Sequence, residues 1–178
     1  MRLAPLLLLA ALAPVVAPAA TTAGATKRAA AARALPAPPV LPADARRVLA
    51  LAKRPGPRAT VVNVWATWCG PCRAEFPALL EAARRHPGVR LVLVSADFDD
   101  QMPAVRRFLA DHGVRDTTYI KSEADQAFID GLNPAWSGAL PATFVYDARG
   151  NRVAFWEGEA DAHRFETAIE HALPPASR

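Results

Sequence analysis

From Ala59 onward, strand-like and helix-like hydrophobic patterns alternate along the chain, and that alternation leaves few architectures open. Ala59–Trp65 (ATVVNVW) and Val89–Ala96 (VRLVLVSA) are β-branched, apolar runs of buried-strand length. Between them, Arg73–His86 has helical spacing and is stopped by Pro87-Gly88. A second helical pattern, Met102–His112, closes at Gly113, and a short strand at Thr117–Ile120 and a helical piece at Glu123–Gly131 follow. The strand runs Ala142–Asp147 and Val153–Glu157 are joined by a hairpin-like turn, and the last helix is Ala160–Leu173. Strands separated by helices call for parallel pairing, whereas adjoining strands call for an antiparallel edge. The expectation is an α/β fold of three α/β/α layers around a mixed central sheet.

The chain ahead of this region is different. Met1-Arg2 and the apolar run that follows have the n-region and h-region of a secretory signal, with Ala17 and Ala19 offering a small-residue cleavage site. An uncleaved membrane anchor is the alternative, although Pro5, Pro14 and Pro18 interrupt the run. Residues 1–19 are therefore read as a signal peptide or anchor, residues 20–42 as an Ala/Pro-rich linker, and residues 43–178 as the folded domain. Asp44 caps a short helical pattern, Ala45–Lys53, at the start of that domain. Both readings of the N-terminus place the body outside the cytoplasm, in the periplasm or exported, either free or tethered to the inner membrane.

The formal net charge of +4 conceals an uneven distribution. Residues 20–58 carry eight basic side chains against Asp44 alone, while residues 59–178 hold 12 basic and 16 acidic residues. Nucleic-acid recognition needs a basic face on the fold itself, so the mildly acidic body argues against that class. Asp97, Asp99 and Asp100 form an acidic cluster better explained by capping at Asp100 and by solvated acids than by a metal.

The chain has two cysteines, Cys69 and Cys72, placed where the first long strand hands over to the next helix. Free N–H groups and the positive end of the helix dipole stabilise an anion there, which favours the thiolate of Cys69 as a nucleophile. Two intervening residues let Cys72 return to resolve a mixed disulfide formed at Cys69. A structural disulfide is the plain alternative, but so short a loop constrains the unfolded chain little. A zinc site would need two more ligands, and the four histidines lack the required spacing. Covalent haem would need a histidine where Arg73 stands. No metal or other cofactor is assigned beyond a redox-active Cys69–Cys72 disulfide.

The segment Val62–Pro77, with its core Trp65-Ala-Thr-Trp-Cys-Gly-Pro-Cys-Arg73, resembles the active-site region of thioredoxin-fold proteins, and of the exported TlpA/ResA-like thiol–disulfide oxidoreductases in particular. Gly138–Gly150 resembles the segment around that family's cis-proline, and the likeness runs from about Thr60 to Leu173. The resemblance implies a thioredoxin fold with a cis peptide bond at Leu140-Pro141. It implies Cys69 as attacking thiol and Cys72 as resolving thiol. Trp68, Gly70, Pro71, Leu140 and Pro141 would form the substrate-docking surface; Trp65 would flank the site with Trp68, but its place on the strand favours the core. Asn63 departs from thioredoxins proper, which place a buried aspartate there. Glu75, three residues past Cys72, matches a glutamate of the TlpA/ResA-like branch and is the candidate proton relay; a solvent-facing helix glutamate is the alternative. Trp136 is read as a packed loop anchor, and Pro77 as a structural bend in the helix.

The resulting expectation is a monomeric, exported protein-disulfide reductase that acts on disulfide-bearing proteins and draws electrons from a membrane thiol donor. The Gly70-Pro71 pair favours a reductant, since thioredoxin couples lie near −270 mV and the strongest periplasmic oxidant near −120 mV. An oxidase or isomerase with the same fold is one alternative. A Cu(I)-binding chaperone or binding module is the other, because soft thiolates suit that ion.

Overall fold

The computed structural model describes residues 36–175 of the chain, so the expected signal or anchor at residues 1–19 lies outside the described residues. Within them, strands β1 (Val40–Ala43), β2 (Ala59–Trp65), β3 (Val89–Ser95), β4 (Thr118–Lys121), β5 (Ala142–Asp147) and β6 (Arg152–Glu157) form one sheet in the order β1-β4-β3-β2-β5-β6. Helices α1 (Ala45–Lys53), α2 (Gly70–Arg85), α3 (Met102–Asp111), α4 (Asp125–Leu132) and α5 (Ala162–Ala172) complete the fold. The pairs β1–β4, β4–β3 and β3–β2 are parallel, and β2–β5 and β5–β6 are antiparallel, which is the mixed sheet expected.

Every residue of β2 is buried, which explains why its sequence is continuously apolar instead of alternating. Val61 and Trp65 pack with Phe76, Leu79, Phe165 and Ile169 of α2 and α5 on one face. Val62 and Val64 pack with Val48, Phe128 and Leu132 of α1 and α4 on the other. Three layers result. Asn63 lies between Val61 and Trp65 and so shares the α2 side of the sheet. Its register partner on β5 is Thr143.

Two differences from the sequence expectations concern the sheet edge and the acidic cluster. Val40, Leu41 and Pro42, taken as the end of the linker, belong to β1; the Thr118 amide donates to the Pro39 carbonyl at 2.9 Å and continues the pairing. A proline is tolerated there because β1 is an edge strand. Asp100 is not a helix cap. It lies in a 3-10 turn, Asp99–Gln101, and α3 begins after Gln101. The cap at Asp44 is present, its Oδ1 accepting from the Arg47 amide at 2.7 Å. Pro77 lies inside α2, where it removes the amide that would have bonded to the Arg73 carbonyl.

Helices α1 and α4 approach closely at Gly131, where an added Cβ would stand 2.6 Å from the Ala45 Cβ. Alanine usually strengthens a helix relative to glycine by about 1 kcal/mol. Here Gly131→Ala is expected to destabilise instead, by about 1–3 kcal/mol, because two methyl groups cannot share that space. Urea unfolding would show this as a lower midpoint at constant slope, and an unchanged or raised midpoint would refute it.

Candidate active site

The chain leaves β2 at Trp65 and re-forms as α2 at Gly70, one turn earlier than its hydrophobic pattern indicates. Cys69 is thereby the N-cap of α2, with its Sγ accepting a hydrogen bond from the Cys72 amide at 3.2 Å. The sulfur sits where the helix has unpaired N–H groups and the positive end of its dipole, so negative charge on it is stabilised. Cys69 and Cys72 are joined as a disulfide with Cα atoms 5.3 Å apart. Cys72 is fully buried and Cys69 is 6% exposed, so access is from the Cys69 side.

Leu140-Pro141 is a cis peptide at the entrance to β5. Leu140 lines a groove with Trp68, Phe98, Phe128 and Trp136, a cavity of about 130 Å³. Trp68 is 58% exposed and forms one wall; Gly70 and Pro71 are also exposed. The fold thus brings Trp68 and Leu140, 72 residues apart, into one groove, and each directly precedes a site residue in the chain, Cys69 and Pro141. Trp65, in contrast, is fully buried among Phe76 and Phe108. Trp136 is a loop anchor as expected: its indole donates to the Ala139 carbonyl at 2.9 Å, and its ring packs edge-on against Phe128 and Phe144.

Glu75 does not face solvent. It is 2% exposed, on the side of α2 turned to the sheet. Its Oε1 accepts from Asn63 Nδ2 at 2.9 Å and its Oε2 from the Ala160 amide at 2.9 Å. Asn63 Nδ2 also donates to Thr143 Oγ1 at 3.0 Å. Burial pushes the Glu75 carboxyl up from 4.5 to about 7; the bonds from Ala160 and Asn63 hold it down, and nearby Glu159 adds to the rise. The group can therefore both hold and release a proton near neutral pH. Asn63 Oδ1 has no partner. Turning that amide over would present the oxygen to the O–H of a protonated Glu75, so the same pair can serve both protonation states.

Asp97 and Phe98 carried no functional expectation beyond the acidic cluster. Asp97 is 1% exposed and accepts from Thr67 and Ser95, which rules out the solvated-acid reading for this member. Phe98 is 62% exposed. No pattern in the sequence marks either residue, because their partners are set by the packing of β3 beside the loop after β2. Among the described residues, the side chains spaced to hold a metal are His86, Glu166 and Glu170, a group that contains neither cysteine. Arg85 and His86 already pair with Glu166.

The redoxin family model matches residues 27–169, most of the chain and all of the site just described. The chain belongs to the redoxin family. This redoxin is 33% identical over 122 residues to a thiol:disulfide interchange protein DsbE homolog of Paracoccus denitrificans, a match covering 66% of this chain and 63% of that protein. It is 25% identical over 117 residues to the thiol-disulfide oxidoreductase ResA of Bacillus thuringiensis, covering 66% of this chain and 65% of the relative. The matches thus span less than two thirds of the length of these curated relatives. A crystal structure of a thioredoxin-family thiol:disulfide interchange protein from Chlorobium tepidum superposes with a TM-score of 0.57 at 25% identity, over 80% of this chain and 98% of that one. The redoxin therefore has the thioredoxin-like fold expected from its sequence.

Proposed function

We propose that the protein is a thiol–disulfide oxidoreductase that reduces disulfides in other proteins. The observation that carries this is Cys69 at the N-cap of α2, disulfide-bonded to a buried Cys72. That position stabilises an attacking thiolate and keeps its partner sheltered until the second step. The kinship with DsbE and ResA proteins supports the same chemistry.

In the reduced protein the Cys69 thiolate attacks one sulfur of the substrate disulfide. The substrate S–S bond breaks, a Cys69–substrate mixed disulfide forms, and the other substrate sulfur leaves as a thiolate that takes up a proton. Cys72 then gives its proton to the Glu75 carboxylate and attacks Cys69 Sγ. The Cys69–Cys72 disulfide forms and the second substrate sulfur is released. Two electrons have passed to the substrate. A dithiol donor must return two electrons to the pair, and for a protein working outside the cytoplasm a membrane thiol protein is the source proposed. Trp68, Gly70, Pro71, Leu140 and Pro141 form the surface on which the substrate chain lies, and the backbone of Leu140 offers it strand-like pairing. The domain acts as a monomer in the periplasm or outside the cell, freed or tethered according to the fate of residues 1–19. No helix among the described residues is long and apolar enough to cross a membrane.

Equilibration with graded thiol–disulfide buffers, followed by alkylation of Cys69 and Cys72, tests the direction. A reductase requires a potential near or below about −250 mV. A value near −120 mV would make the protein an oxidant, and a pair that never exchanged would rule out catalysis.

A further inference from the structure

Asp97 is a buried carboxylate that the exchange chemistry does not use. Among the described residues it pairs with no cation, and it is satisfied by hydroxyl and amide donors alone. The Thr67 amide donates to Oδ2 at 2.9 Å, the Thr67 hydroxyl donates to Oδ1, and Ser95 Oγ donates to Oδ2 at 2.6 Å. The Asp97 amide in turn donates to Ser95 Oγ at 3.0 Å. Keeping a carboxylate out of water is costly, so these bonds hold the loop after β2 firmly to the end of β3.

The two residues tied together each precede an exposed aromatic side chain. Thr67 precedes Trp68, and Asp97 precedes Phe98; both rings line the groove that continues to Leu140 beside the cis-proline. Phe128 and Trp136 form the floor. Both aromatics are more than half exposed, and the Asp97–Thr67 tie, together with the Ala96 amide donating to the Trp65 carbonyl at 2.7 Å, joins the two segments that carry them.

We propose that Asp97 is a positioning residue that holds Trp68 and Phe98 as opposite walls of the groove beside Cys69, and that Phe98 thereby selects substrates with a large apolar side chain next to the disulfide. The groove takes an extended segment of the disulfide-bearing protein, because two of its lining residues, Trp68 and Leu140, directly precede Cys69 and the cis-proline Pro141 in the chain. This inference rests on the thiol–disulfide exchange proposed above.

The test uses the reduced full-length chain with three disulfides: cystamine, too small to reach the groove, and two peptides whose disulfides are flanked either by leucine and phenylalanine or by serine. Asp97→Ala is expected to raise KM for the apolar peptide about tenfold, as losing part of the apolar contact with a displaced aromatic wall would. Any change in Cys69 reactivity should appear equally with cystamine, so the effect is read as the ratio of the apolar-peptide rate to the cystamine rate relative to wild type. Asp97→Asn can keep all but the longer bond of the Thr67 amide to Oδ1 at 3.2 Å, its oxygen accepting from the Thr67 amide and Ser95 and its NH2 donating to the Thr67 hydroxyl, and is expected to restore the KM. Phe98→Ser, at an exposed position that should not affect folding, is expected to raise KM for the apolar peptide and leave the serine-flanked one unchanged. An unchanged KM in both Asp97→Ala and Phe98→Ser would overturn the inference while leaving the exchange chemistry intact. If the wild-type protein failed to exchange with cystamine, the proposed function itself would fall.

Discussion

Replacing Cys72 with serine is expected to turn Cys69 into a trap. The first exchange step needs only the Cys69 thiolate at the N-terminus of α2, and serine at position 72 keeps the backbone amide that bonds to Cys69 Sγ. The second step needs a sulfur at position 72, so the mixed disulfide persists and turnover falls to background. Substrate should accumulate as a 1:1 covalent adduct that dissolves on adding dithiothreitol. Cys69→Ser should form no such adduct, because Cys72 is fully buried and cannot reach an external disulfide. Non-reducing gel electrophoresis with intact-mass measurement separates the two variants. Equal trapping by both, or trapping by Cys69→Ser alone, would reverse the assigned roles.

The second large effect belongs to Glu75 and has a definite sign with pH. In the unfolded chain this carboxyl releases its proton near 4.5, whereas in the folded protein it retains it to about 7. Between these values the folded state binds more protons than the unfolded one, so stability falls as pH rises through that window and levels off above it. The difference corresponds to about 3 kcal/mol of lost stability at pH 8 relative to pH 4. Glu75→Gln should remove this fall. Its amide can donate to Asn63 Oδ1, which lacks a partner, while its carbonyl takes the Ala160 amide. The variant is therefore expected to be the more stable protein at pH 8 and similar to wild type at pH 4. It should also lose about 10²-fold in the rate of the resolving step, the contribution of a positioned proton acceptor. Urea melts at the two pH values, with stopped-flow measurement of mixed-disulfide decay, check both halves. A pH slope as steep in Glu75→Gln as in wild type would refute the stability argument, and an unchanged decay rate would remove Glu75 from the chemistry.

What could be read directly from the sequence was whatever depends on neighbours along the chain. The bounds of β2 and β5 match their apolar runs residue for residue, since a strand buried on both faces needs an unbroken run. The α1 boundaries follow from Asp44 and from the Arg54-Pro55-Gly56-Pro57 stop. The disulfide and the cis peptide at Leu140-Pro141 agree with the family resemblance. What stayed hidden depends on distant partners. Position along α2 left Glu75 either buried or exposed; its burial is decided by the Ala160 amide, 85 residues away, and by Asn63 on β2. Asp97 looked like one of three surface acids until β3 brought it under Thr67. Strand β1 was concealed by prolines that only an edge position tolerates.

That edge position also decides what losing β1 does to the sheet. Chain preceding Val40 joins the sheet at β1, which β4 and β3 separate from β2 and the cysteine loop. Separating the outermost strand breaks only its pairing with β4, and the pairing of β2 with β3 and β5, the strands that lead to Cys69 and away from Pro141, does not involve it.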